Sequence, residues 1–182
     1  MRGTMHEEII CAGFGGQGIM LMGKLLAQVG IREGYNVTWL PSYGAEVRGG
    51  TAHSMVHISG DKIASPTVSQ PTACIVMNRP SFTKFIHKVK RGGLLIINTS
   101  MVDRIFEKKS IKIAAFPLTR LASELGNIKV ANMIAVGAFT RIKKIFSLES
   151  VLEELDKILP PKKDIVIVNK KAVKLGYDLP GE

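Results

Sequence analysis

The stretch Ile9-Ile10-Cys11-Ala12-Gly13-Phe14-Gly15-Gly16-Gln17-Gly18-Ile19-Met20 decides how the rest of the chain is read. An apolar run over 8–12 reads as a short buried strand. The glycine-rich stretch 13–18 is a turn. Ile19, Met22, Leu25, Leu26 and Val29 then recur at helical spacing, and Gly30 or Gly34 can end that helix in a left-handed cap. Strand, glycine turn and helix in that order are the opening of a Rossmann-like α/β unit. Glycines let the backbone turn tightly, and the free N–H groups at the helix start can face an anion.

Working outward, apolar and polar stretches keep alternating. Residues 35–40 read as a second strand stopped by Pro41, and 51–59 as a third. In that third strand Ala52, Ser54, Val56 and Ile58 share one face; Thr51, His53, Met55 and His57 share the other. Strands are also predicted over 72–77, 94–98 and 111–115. Helices are predicted over 80–90, with Pro80 in the first turn, and over 118–125 and 130–142. A further helix is capped by Ser147 and runs to Leu159. The tail is ambiguous: Ile165 to Val168 has strand propensity, yet Ile165, Val168, Ala172 and Leu175 form a helical stripe. It is read as a helix ending at Gly176. The expected architecture is one α/β domain over 1–182, Rossmann-like, with a mostly parallel sheet and helices on both faces.

The 182 residues carry a net charge of +10, which attracts anionic ligands or acidic partners. The lysines come as scattered pairs (Lys108-Lys109, Lys143-Lys144, Lys162-Lys163, Lys170-Lys171), and only 6% of residues are aromatic. A nucleic-acid binder would show a basic stripe interleaved with stacking aromatics, so that class is disfavoured. No apolar run reaches membrane-spanning length, and the first eight residues lack a signal-like apolar core. A cytoplasmic chain is expected. Cys11 and Cys74 sit in apolar stretches and are too few for an iron–sulfur cluster.

The turn matches G-x-G-x-x-G, but a nicotinamide or flavin site normally adds an acid at the end of the second strand. Here that strand ends Thr38-Trp39-Leu40-Pro41, so a dinucleotide is demoted and another nucleotide, such as coenzyme A, is retained. The loop Ser42-Tyr43-Gly44-Ala45-Glu46-Val47-Arg48-Gly49-Gly50 follows the second strand and should lie beside the turn. Arg48 can clamp a phosphate or carboxylate with its planar fork, and Glu46 can orient it. A plain surface pair Glu46–Arg48 is the competing reading. His53 and His57 are spaced too far for an easy shared metal site and read as half-buried structural residues. No nucleophile–base set and no paired acids stand out.

Together, Gly13-Phe14-Gly15-Gly16-Gln17-Gly18 and Tyr43-Gly44-Ala45-Glu46-Val47-Arg48-Gly49-Gly50 resemble the gamma subunit of the 2-oxoacid:ferredoxin oxidoreductases. The similarity extends through Ile63-Ala64-Ser65-Pro66, Arg91-Gly92-Gly93 and Asn132-Met133. The resemblance implies a complex that decarboxylates a 2-oxoacid on thiamine diphosphate with Mg2+, held by alpha and beta chains with or without a delta chain. It implies electrons leaving through [4Fe–4S] clusters to ferredoxin, and coenzyme A accepting the acyl group. In that setting this chain binds no cofactor tightly and is inactive alone. It assists coenzyme A binding and assembly through Gly13, Gly15, Gly16, Gln17, Gly18, Tyr43, Glu46, Arg48 and Gly49. The second loop is most similar to the 2-oxoglutarate type; pyruvate, branched-chain 2-oxoacids and indolepyruvate are alternatives. Two other classes stay open: a free-standing nucleotide-binding reductase, and a basic nucleic-acid-binding module.

Overall fold

The computed structural model describes residues 5–43, 51–105 and 108–180. Six strands form one sheet: β1 (His6–Phe14), β2 (Asn36–Ser42), β3 (Thr51–Ser59), β4 (Ala73–Val76), β5 (Leu94–Asn98) and β6 (Lys112–Phe116). Their spatial order is β2-β3-β1-β4-β5-β6. Strands β1, β4, β5 and β6 run parallel, whereas β3 is antiparallel to both of its neighbours, β1 and β2. Five strands therefore point their carboxyl ends to the same edge, and only β3 runs the other way.

The alternation of side chains along each strand feeds two cores. Ile9 and Cys11 of β1 join Val56, Ile58, Ile75 and Ile96 in the larger one. That face is covered by α1 (Ile19–Arg32), α3 (Leu118–Glu124), α4 (Ala131–Lys143), α5 (Leu148–Ile158) and α6 (Lys163–Tyr177). Ile10 and Ala12 point to the opposite core with Cys74, Val76, Leu95 and Ile97. It is covered by α2 (Arg79–Phe85) and by the segment containing Val68. The expected α/β class, the largely parallel sheet and helices on both faces are all present, with one face much thicker than the other.

Several expectations are refined. Pro41 does not stop β2, which continues to Ser42. Because β2 is the sheet edge, Pro41 can lie in register with Ser54 without removing a ladder hydrogen bond. Helix α2 is shorter than the 80–90 expected. Asn78 caps it by accepting a hydrogen bond from the Ser81 amide, and it closes at Phe85 with Ile86 as its cap. Gly34, not Gly30, ends α1: its φ of 82° lets the Tyr35 and Gly34 amides reach back to the Gly30 and Ile31 carbonyls.

The tail is the expected helix, but Gly176 does not end it; α6 continues to Tyr177. A Cβ on Gly176 would run into the Ile134 carbonyl of α4, and one on Gly137 would run into the Val173 carbonyl of α6. The two glycines let these helices cross with their backbones in contact, so Gly176 is a packing notch.

Candidate functional site

The 13–18 turn sits at the carboxyl edge, where β1 and β4 part company. Helix α1 leaves β1 toward the thick face, and α2 leaves β4 toward the thin one. Such a reversal is the switch point at which open α/β sheets bind ligands. Gly13 is buried inside β1, and a Cβ there would meet Gln17 Oε1 and the Ile19 side chain. Gly18 has φ 71°, and a Cβ would strike the Asn132 side chain, whose Nδ2 donates to the Gly18 carbonyl at 3.2 Å. Gly18 is thus required by its own backbone, and at Gly13 a side chain would have to displace the ends of Gln17 and Ile19.

Gly15 is different. It is exposed, its φ is not in the left-handed region, and nothing lies within 4 Å of where its Cβ would be. The fold leaves room for a side chain at Gly15, and the space above it is free for something from outside. Gly18 heads α1 without a side-chain cap, and the first turn of α1 carries no acid. The helix start therefore presents backbone N–H groups and positive dipole with no carboxylate in its own first turn to neutralise them.

Gln17 turns inward. Its Oε1 accepts from the Phe14 amide at 2.7 Å and from Asn78 Nδ2 at 3.0 Å, and its Nε2 donates to the Met77 carbonyl at 3.3 Å. The same carbonyl accepts from Asn98 Nδ2 at 3.2 Å, which also donates to Thr119 Oγ1 at 2.9 Å. Gln17, Asn78, Asn98, Thr119 and Asn132 form a seam of neutral polar groups along the carboxyl ends of β1, β4 and β5. The sequence reading missed it, although the signal was there: Asn78 and Asn98 each end an apolar run, Ile75-Val76-Met77 and Leu95-Ile96-Ile97.

Two clefts flank the turn, and Gly16 lines both. One, of about 320 Å³, is bounded by Phe14, Gly15, Gly16, Gly18, Tyr43 and Ala52. Tyr43 is 73% exposed there, so the start of the second loop does lie beside the glycine turn. Glu46, Arg48 and Gly49 fall outside the described residues. The other cleft, of about 250 Å³, is mostly apolar and includes Met77, Met101, Ile128 and Lys129. Met101 and Ile128 are exposed at 42% and 62%.

The order of strands bears on nucleotide choice. In a dinucleotide site the acid-bearing strand adjoins the glycine-turn strand. Here β3 intervenes, which places the end of β2 two strand spacings from β1, roughly 9.5 Å. Besides lacking an acid, β2 is in the wrong lane for a ribose contact.

The other candidates have mainly structural surroundings. Cys11 and Cys74 are fully buried on opposite faces; burial pushes the Cys11 thiol up to about 12 and the Cys74 thiol well above its ordinary value. Neither fits cluster ligation, which needs an accessible thiolate. Several lysines of the sequence pairs work locally. Lys143 pairs with Glu7 at 2.6 Å, Lys170 with Asp156 at 2.6 Å, and Lys108 Nζ donates to the Ile86 carbonyl at 3.1 Å beyond α2. His53 is half-buried as expected, tilted against Phe85. Burial, then the charges of Lys84 and Lys88, hold its imidazole below the ordinary value. His57 is buried and meets His6 and Glu8 across the β1–β3 ladder. No described helix is long and apolar enough to cross a membrane.

The chain is similar to known proteins in sequence and in fold. Residues 8–179 match the family model described as pyruvate ferredoxin/flavodoxin oxidoreductase. The ketoisovalerate oxidoreductase subunit VorA of Methanothermobacter marburgensis is 34% identical over 92% of this chain, which spans only 35% of that relative. The 2-oxoglutarate synthase subunit KorC of Methanocaldococcus jannaschii is 32% identical and aligns over 100% of this chain and 97% of its own length. The solved gamma subunit of a keto/oxoacid ferredoxin oxidoreductase from Geobacter sulfurreducens superposes with a TM-score of 0.82. Its identity is 28%, over 94% of this chain and 96% of that one. With the glycine turn, the second loop and the sheet from Glu8 onward inside the matched span, the chain belongs to the pyruvate ferredoxin/flavodoxin oxidoreductase family.

Proposed function

We propose that this chain is the gamma subunit of a 2-oxoglutarate:ferredoxin oxidoreductase, where it helps to bind coenzyme A and to hold the complex together. The observation that carries the reading is Gly15: an exposed glycine that its own fold does not require, at a switch point, beside an uncapped helix start. The full-length alignment with a 2-oxoglutarate synthase subunit supports that substrate, while subunits acting on 2-oxoisovalerate and indolepyruvate match as well.

The residues fit a phosphate-bearing ligand. Backbone N–H groups of Gly15, Gly16 and Gly18 and of the first turn of α1 can take the phosphates of coenzyme A, with Tyr43 as a wall. Arg48 and Glu46 from the second loop would complete the clamp, and Gly49 would keep that loop slim. Coenzyme A supplies the thiol that accepts the acyl group. The side chain of Gln17, anchored to Phe14, Met77 and Asn78, holds the turn open in this shape rather than touching the ligand.

Thiamine diphosphate with Mg2+ and the [4Fe–4S] clusters belong on alpha and beta chains in this reading, since Cys11 and Cys74 are unsuited to clusters. The apolar cleft with Met101 and Ile128 is a suitable seat for one of those chains. Ferredoxin then meets the complex through other subunits.

Native purification followed by turnover assays tests the proposal. The chain should co-elute with a thiamine-diphosphate chain and an iron–sulfur chain, and the complex should reduce ferredoxin fastest with 2-oxoglutarate. A chain that elutes alone would sink the subunit reading. Preference for 2-oxoisovalerate, pyruvate or indolepyruvate would keep it and change the substrate.

A further inference from the structure

At the opposite end of the sheet, where β1 begins and β3 ends, His6, Glu8 and His57 converge. One potential ligand atom from each lies within 4.8 Å of the others. The cluster owes nothing to sequence proximity of His57. It arises from the antiparallel register, which sets Glu8 opposite His57, and from the period of two that puts His6 and Glu8 on one face of β1.

Three details make this more than a chance meeting. His57 is 7% exposed, and its Nδ1 lies 3.3 Å from the Ser65 carbonyl. A carbonyl can only accept, so in that bond Nδ1 is the donor, and Nε2 is the ring nitrogen turned toward His6. That is the way a backbone carbonyl orients a metal-binding imidazole. His57 Nε2 then faces His6, 3.3 Å from its Nε2 and 3.5 Å from its Nδ1. Two nitrogens bound to one tetrahedral ion at the usual zinc–nitrogen length stand about 3.4 Å apart. Glu8 Oε2 lies 3.8 Å from His6 Nε2 and supplies the anionic third ligand.

We infer that His6, Glu8 and His57 form a binding site for one divalent transition-metal ion of the zinc class. Two imidazoles and one carboxylate suit such an ion better than Ca2+ or Mg2+, which prefer oxygen ligands. Three protein ligands leave a fourth position for water, on the side where the His6 side chain is half exposed. The ion fastens the start of β1 to the end of β3 and, through His57, to the segment at Ser65. It lies roughly 20–27 Å along β1 from Phe14, so it acts on the fold and not on the glycine turn.

The full chain, stripped with a chelator, is titrated with Co2+ and Zn2+. Wild type should take up a single equivalent of Co2+ with visible d–d bands, which Zn2+ abolishes, and Zn2+ should raise the melting temperature. His57→Gln, and independently His6→Gln at the more exposed position, should weaken Zn2+ binding at least tenfold. His53→Gln, on the same strand face but outside the cluster, should bind as wild type does. Should His57→Gln fail to fold, His6→Gln and Glu8→Gln still decide. No stoichiometric binding by wild type, or unchanged affinity in His6→Gln and Glu8→Gln, overturns the inference.

Discussion

The two ends of the sheet are built on different chemistry. At the carboxyl end, buried Asn78, Asn98 and Asn132, with half-buried Gln17, link strands and helices through neutral amides. At the amino end the links are ionisable. Glu7 pairs with Lys143; Arg32 holds Glu153 and Glu154; Lys157 joins Glu154 at 2.5 Å; and His6, Glu8 and His57 meet. Neutral amides hold shape without adding a field. Among the described residues, an anion arriving at the glycine turn would therefore meet backbone N–H groups and a helix dipole undiluted by buried carboxylates. Charges are concentrated where they can fasten the fold without competing for that anion.

The comparison breaks most visibly at the seam. Asn98→Ala removes bonds to Met77 and Thr119 and leaves the Ser100 and Thr119 amides without their Asn98 acceptor. We expect a loss of about 3 kcal/mol in urea unfolding, unchanged between pH 7 and mild acid. Gly18→Ala forces a side chain into a left-handed φ and into Asn132, so about 2 kcal/mol should be lost.

At the other end the effect should depend on pH. Burial raises the Glu154 carboxyl, but hydrogen bonds and charges from Lys157 and Arg32 outweigh it, so the net value falls below 4.5. A depressed carboxylate contributes stability that is fully present above its unfolded value and is lost as pH falls through its folded value. Glu154→Gln should cost about 1–2 kcal/mol at pH 7 and progressively less below pH 4.5. Hydrogen exchange should show α1 and α5 loosening in acid while the amide seam stays protected. Smallest of all, Gly15→Ala should change unfolding stability by less than about 1 kcal/mol. A large loss there would mean that the fold itself needs that glycine.

The glycine turn at the carboxyl end was legible in the sequence because its signals are local, whereas the amide seam was not, because Asn78 and Asn98 reach Gln17 and Thr119 only through strand packing. The 13–18 turn and the helix from Ile19 lie within a few residues of each other, and so, at the other end, do Ser147 and the helix that it caps. The place of Tyr43 beside the turn followed from chain order alone, since both connections leave strand ends at one edge. Pro41 misled because a strand's tolerance for proline depends on whether it lies at the edge, a tertiary fact. Gly176 misled in a similar way, since a helix notch and a helix stop use the same residue. The His6–Glu8–His57 cluster was hidden because His57 reaches its partners only through strand register. The interposed β3, which separates β2 from β1, could not be read from alternation of elements either.

In the proposed function the glycine turn faces a ligand delivered by the assembled enzyme. The decisive experiment is steady-state turnover of the complex carrying Gly15→Val, with coenzyme A as the varied substrate. We expect an assembled complex with wild-type melting behaviour and at least a tenfold loss in kcat/KM for coenzyme A. An assembled variant with unaltered kcat/KM would contradict it and leave the turn with a purely structural role.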